Sequence, residues 1–200
     1  QPIQKNKVTI LVTDNNVKNC LVCMPVFCYN SDMKALTQDI RRRTEMAIEI
    51  VQKYVNELID RSTLEEPVWN IEKIRAGKKA SWDYIDGCMI MSLLELYKVG
   101  RNEKYFKFAE EYISYRVQED GTINGYHKEE LNLDNINEGK NLFTLYDLTG
   151  KEKYAKATSR IYQQILEMPR TKEGNFWHKM IYPNQVWLDG LYMAQPFYIE

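Results

Sequence analysis

Leu96-Tyr97-Lys98-Val99-Gly100-Arg101-Asn102-Glu103-Lys104-Tyr105 returns, 49 residues later, as Leu145-Tyr146-Asp147-Leu148-Thr149-Gly150-Lys151-Glu152-Lys153-Tyr154. Each copy ends one helical pattern in a tight turn and opens another, with a Tyr early in the second helix. Each second helix is followed by an acidic-Gly turn, Asp120-Gly121 or Glu173-Gly174, and then by a loop bearing aromatic residues. A single helical hairpin cannot bury its own apolar face, so hairpins repeating at this period must stack. Two architectures satisfy the pattern: an open solenoid, or a closed toroid of six hairpins. In either, the loops after the second helices gather at one end, where a cleft forms.

Outward from the repeat, the chain reads as helices. Leu36 to Ile59 carries Ile40, Ala47, Ile48, Val51, Tyr54, Val55, Leu58 and Ile59 at helical spacing. Ser81 is the expected N-cap of a helix from Trp82 to Val99, which Gly100 ends. A helix from Glu103 to Val117 stops at Asp120-Gly121. Asn135 or Asn137 caps a helix running to Leu148, and Lys151 to Met168 follows, stopped before Pro169. The last helix starts near Asn184. Tyr97, Tyr105, Tyr146 and Tyr154 occupy equivalent repeat positions and read as packing residues.

Residues 1–32 differ from the rest and read as an extension outside the fold, with residues 33–200 forming the helical domain. Val8 to Val12 has strand character but no later partner. Cys20, Cys23 and Cys28 cluster, yet a single C-x-x-C with no nearby His is a weak metal signal.

Two hundred residues at 44% hydrophobic and 12% aromatic content suffice for one packed domain. A net charge of −1 and a pI near 6.3 give no electrostatic case for nucleic acid. Arg41-Arg42-Arg43 reads as a solvated helix face. No run of 18 apolar residues exists, so no membrane span is expected. No signal peptide is read in Cys20 to Cys28, which makes the cytoplasm the expected compartment.

Chemistry concentrates in Gly174-Asn175-Phe176-Trp177-His178-Lys179 and Gln185-Val186-Trp187-Leu188-Asp189-Gly190-Leu191-Tyr192-Met193. Aromatic faces beside carboxylate and amide groups suit a sugar ring, whose C–H faces are apolar and whose edges carry hydroxyls. Trp82-Asp83-Tyr84-Ile85-Asp86-Gly87 and Leu133-Asp134-Asn135-Ile136-Asn137-Glu138-Gly139-Lys140 add two more acidic motifs.

Together these four motifs, in this order, resemble the unsaturated rhamnogalacturonyl hydrolases of glycoside hydrolase family 105, from about Leu36 to Glu200. The resemblance implies an all-α (α/α)6 barrel with the active site at one end, of which this chain carries about the N-terminal half. It implies release of 4,5-unsaturated galacturonic acid from the non-reducing end of pectin-derived oligosaccharides. In that chemistry one Asp protonates C4 of the enol ether, water adds at C5, and the hemiketal opens. The resemblance assigns the acid to Asp134, and the lining of the unsaturated sugar to Asp86, His127, Lys128 and His178. Trp187 is assigned by neighbourhood as a cleft aromatic. No cofactor or metal is implied.

Each assignment has a plainer counterpart. Asp134 is equally placed to cap a helix, Asp86 to make an ion pair with a neighbouring helix, and any one Trp to fill the core. A conventional glycosidase needs two carboxylates across the bond, and Asp86 with Asp134 satisfies that count. Either His-Lys pair can supply a cation for a uronate, although Lys179 reads as solvated. Asp189 has no assigned role. A helical-repeat interaction module of the tetratricopeptide or HEAT kind, and a uronyl hydrolase acting on glycosaminoglycans, remain alternative functions. A six-hairpin barrel needs as many hairpins again, so full activity is not expected of this length alone. Its open apolar edge invites self-association.

Overall fold

The structure is a computed structural model, described here for residues 31–200. The Val8–Val12 strand, the Cys20, Cys23 and Cys28 cluster and nearly all of the expected extension lie outside the described residues. The chain divides into two units, one up to Tyr54 and one from Val55. The first unit is described from Ser31, within helix α1 (Ser31–Arg61). Its arginines are solvated, as expected, and pair along the helix: Arg41 with Glu45 at 2.8 Å and Arg43 with Asp39 at 2.7 Å.

The second unit is a stack of helical hairpins. It holds the end of α1, then α2 (Ile71–Arg75), α3 (Tyr84–Gly100), α4 (Glu103–Arg116), α5 (Asp134–Asn137), α6 (Lys140–Thr149), α7 (Glu152–Glu167) and α8 (Leu188–Ile199). A 3-10 turn covers Lys128–Glu130. No extended strand forms among the described residues. The two repeat copies are the hairpins α3–α4 and α6–α7, and α3 packs on α6. Apolar residues at helical spacing close each hairpin: Tyr105, Ala109, Tyr112 and Ile113 on α4, and Tyr154, Ala157, Ile161 and Ile165 on α7, are all buried.

Both hairpin turns use a left-handed residue. Arg101 (φ 53°) closes α3 and Gly150 (φ 66°) closes α6. Past the second helix the copies match again. An isolated bridge joins Val117 to Ile123 around Gly121, and another joins Arg170 to Phe176 around Gly174. Both glycines have positive φ, 82° and 90°.

Several boundaries differ from the sequence reading. The N-cap of α3 is Asp83, not Ser81: its carboxylate accepts from the backbone N–H groups of Ile85 and Asp86. The stretch from Asn135 to Leu148 is broken into α5 and α6, and neither Asn135 nor Asn137 caps by its side chain. Asn137 instead donates to Tyr84 O at 3.1 Å, tying α5 to α3. The last helix starts at Leu188, four residues later than expected, because Tyr182 to Gln185 forms a turn. Of the four repeat tyrosines, Tyr105 and Tyr154 are buried, while Tyr146 is exposed on the second hairpin and only reaches Glu152.

At the α3–α6 contact sits a fully buried carboxylic acid, Glu138. One oxygen accepts from Asp83 N–H at 2.8 Å and the other has no partner. Burial pushes its carboxyl well up; Arg116 opposes this and Asp86 adds to it. The folded state therefore holds this proton more tightly than the unfolded chain. The stability it contributes is full below the ordinary carboxylate range, near pH 4, and is lost as pH rises through the folded value. Glu138→Gln keeps the acceptor for Asp83. It is expected to flatten this decline and raise the melting temperature at pH 8 by a few degrees. A thermal-melt series over pH checks it, and an unchanged slope assigns the dependence to Asp86, whose carboxyl burial also raises.

Candidate active site

The two loops that follow α4 and α7 are sewn together. An antiparallel bridge pairs Asn132 with Lys179; Leu133 N–H donates to His178 O at 3.0 Å and Met180 N–H to Leu131 O at 3.1 Å. This seam sets Asp134, at the start of α5, against His178 and Lys179, 44 and 45 positions away in the chain. Lys179 Nζ lies 2.7 Å from Asp134 Oδ2, and His178 Nε2 lies 3.4 Å from Asp134 Oδ1.

The loop bearing Asp134 is anchored from three sides. Asn132 Oδ1 accepts from Asp134 N–H at 3.0 Å, so Asn132 makes the capping turn and Asp134 keeps its carboxylate for other work. Gln164 on α7 donates to Asn132 O at 2.8 Å and accepts from Tyr126 Oη at 2.8 Å. Trp82 Nε1 donates to Asn135 O at 2.7 Å. The helix-cap reading of Asp134 is thus replaced by an ion pair in a nearly closed position, with Asp134 only 9% exposed.

The third element is the first turn of α8. Gly190 packs so closely that a Cβ there would sit 3.0 Å from His178 Nδ1. That close approach brings the neighbouring Asp189 in. Ligand atoms of Asp134, His178 and Asp189 lie within 4.8 Å of one another. Asp189 is exposed, and no hydrogen bond or ion pair holds its carboxylate among the described residues. Sequence reasoning left it without a role, although its one-residue offset from Gly190 beside an aromatic loop was the available signal.

His178 is buried, and neither ring nitrogen has a hydrogen-bond partner among the described residues. Burial lowers its basicity below the usual imidazole range, with Asp134 and Asp189 pulling upward and Lys179 downward. It is therefore a neutral imidazole at pH 7, able to donate through one nitrogen and accept through the other. Trp187 stacks on it at 4.2 Å between centroids and 14° between planes, and Tyr182 stacks on Trp187 at 5.1 Å. The Trp187 indole, expected as a cleft aromatic, thus packs against protein rings and steadies His178. It also lines a small hollow with Leu133, Phe176, Gly190, Leu191 and Gln195.

Other expected site residues lie elsewhere. Asp86 is fully buried, accepting from Trp69 Nε1 at 2.7 Å and Asn70 Nδ2 at 3.0 Å. Its surroundings are those of a structural node under α3, and the plainer ion-pair reading is replaced by neutral donors. His127 is exposed and makes no side-chain capping bond. Lys128 pairs with Glu167 on α7 at 2.8 Å. Lys179, expected in solvent, is the cation the site possesses. Lys128→Ala is accordingly expected to leave ligand affinity within about twofold, because an exposed pair contributes little. Lys179→Met is expected to weaken it at least tenfold, as loss of a charge-assisted bond does. Binding isotherms for an unsaturated or saturated uronate compare the two.

Comparison with known proteins fits this geometry. The profile of Glycosyl Hydrolase Family 88 matches residues 50–200, a span that includes every residue of the cluster. The chain belongs to glycosyl hydrolase family 88. A solved glycoside hydrolase of family 105 from C. acetobutylicum ATCC 824 is similar at 41% identity, with a TM-score of 0.62. The match covers 73% of this chain and 37% of that one, so the chain spans well under half of that relative. The family 88 profile and this family 105 relative agree in pointing to a glycosidase fold of the family 88/105 kind. Its stacked hairpins are part of an all-helical α/α-barrel glycosidase fold.

Proposed function

We propose that the protein hydrolyses oligosaccharides ending in a 4,5-unsaturated uronic acid, with unsaturated galacturonate on rhamnose, as left by pectin lyases, the preferred substrate. The observation that carries this reading is an imidazole and two carboxylates with ligand atoms within 4.8 Å of one another, and an ammonium 2.7 Å from one of those carboxylates, at one loop cluster. The ammonium suits a uronate carboxylate, which needs a charged partner once it is desolvated. The carboxylates lie closer together than the roughly 5 Å or more that a conventional two-carboxylate glycosidase keeps across its bond. This closeness suits one carboxyl donating the proton and the other orienting its neighbours better than two carboxylates placed across a bond.

The sequence reading gave the proton donor's role to Asp134. The geometry favours dividing the labour. Asp134 has one oxygen on Lys179 and the other facing His178, so it orients both. Asp189 faces outward and unencumbered. A sugar ring that excludes water from two adjacent carboxylates disfavours charge on both. Lys179 is bonded to Asp134, which leaves Asp189 as the carboxyl free to act as proton donor. Asp189 then gives that proton to C4 of the enol ether, and a water oxygen bonds to C5 as His178 accepts its released proton. The resulting hemiketal opens to a keto group and frees the leaving sugar's hydroxyl.

The test is the ultraviolet absorbance of the conjugated double bond. Incubation of the full-length protein with unsaturated galacturonyl-rhamnose is expected to bleach it, with one equivalent of sugar released. Bleaching only of unsaturated glycosaminoglycan disaccharides would move the substrate class, and bleaching of neither would end the reading.

A further inference from the structure

Asp134, His178 and Asp189 have a second capacity that the proposed hydrolysis does not use. We propose that they form a capture site for a divalent cation of the zinc class, and that an ion held there shuts the enzyme off. Three observations converge. The three side chains offer one nitrogen and two carboxylate oxygens within 4.8 Å of one another. Zinc bonds of about 2.0–2.2 Å at tetrahedral angles separate two ligand atoms by roughly 3.3–3.6 Å. His178 Nε2 and Asp134 Oδ1 are already 3.4 Å apart. Finally, His178 is buried and that nitrogen has no hydrogen-bond partner among the described residues, a desolvated ligand atom facing the carboxylates.

The ligand set selects the ion. One imidazole and two carboxylates fit zinc and its first-row neighbours, whereas calcium and magnesium prefer all-oxygen sites. Lys179 does not fill the place. It sits on Asp134 Oδ2, while the oxygen turned toward His178 is Oδ1. In that arrangement Lys179 steadies a ligating carboxylate from behind, as outer hydrogen-bond partners do in metal sites. Asp189 is exposed, so a fourth position stays open to water.

Capture of the ion does not depend on the hydrolase reading; its effect on activity does. A cation bonded to Asp189 and His178 removes the proton donor and the base together.

The experiment uses the protein with Cys20, Cys23, Cys28 and Cys88 all replaced by serine, so that thiols cannot take the metal. Calorimetric titration with zinc is expected to show one ion per chain. Asp189→Asn, an exposed change with no bond to lose, is expected to weaken binding at least tenfold while leaving the melting temperature unaltered. Zinc binding that is equally tight in Asp189→Asn, or absent at millimolar zinc, overturns the site. In chelator, hydrolysis of an unsaturated uronide is measured first, and its absence fails the hydrolase reading without touching the titration. Where hydrolysis is present, saturating zinc is expected to lower it at least tenfold, with recovery on adding chelator. Undiminished turnover with the site filled overturns the inhibition.

Discussion

Asp189→Asn is expected to lower kcat on unsaturated uronides by about 10²–10⁴, with KM changed only severalfold, because general-acid catalysis contributes on that scale. The substitution is nearly isosteric, and the side chain is exposed and unbonded, so the fold is not at risk. Asp134→Asn has a different signature. It releases Lys179 and removes the carboxylate facing His178, so substrate affinity falls together with turnover. Steady-state kinetics with the two variants side by side decide the roles. A normal rate in Asp189→Asn sinks the division proposed above. Loss of turnover at unchanged KM in Asp134→Asn returns the donor's role to the residue that the sequence indicated.

Gly87→Ala is expected to destabilise the protein by about 2–4 kcal/mol, at or above the usual range for overpacking a tight contact. A methyl group there would lie 2.6 Å from Glu138 Cα and 2.8 Å from Glu138 N. Both are backbone atoms at the joint between α5 and α6, and backbone cannot swing aside as a long side chain does. Asn141 also donates to Gly87 O at 3.0 Å, so parting the helices breaks a buried bond as well. The midpoint of chemical denaturation measures the change. Gly150→Ala is the matched control. Its built Cβ meets nothing within 4 Å, so any loss there reflects only its φ of 66°. A Gly87→Ala midpoint equal to that of wild type would show that α3 and α6 slide without cost.

The hairpin architecture was legible because the repeat announces itself twice, in the turn and in the acidic-Gly loop beyond the second helix. Local chemistry misled where two candidates stood side by side. Ser81 and Asp83 are both good caps, and only the Asp83 carboxylate reaches the free N–H groups of α3. The site was partly legible. The sequence reading singled out Asp134 as the acid and His178 as a sugar-lining residue, and the fold brings the two side chains to 3.4 Å. Lys179 was misread because its partner lies across a two-residue bridge between loops of different repeats, and no periodicity records such a pairing. Asp86 misled for the opposite reason. An acid in an apolar helix looks functional until Trp69 and Asn70, both on a segment outside the repeat, are seen to satisfy it.

The seam between Leu131–Leu133 and His178–Met180 has an evolutionary corollary. No single hairpin owns this chemistry; one tandem unit contributes the orienting acid and the next contributes the cation and imidazole. On the proposed chemistry a lone ancestral motif would therefore have been inert, since the cluster forms only where two copies lie edge to edge. Excising either unit is expected to erase the cluster whole and to strip the surviving hairpin of the face it stacks against.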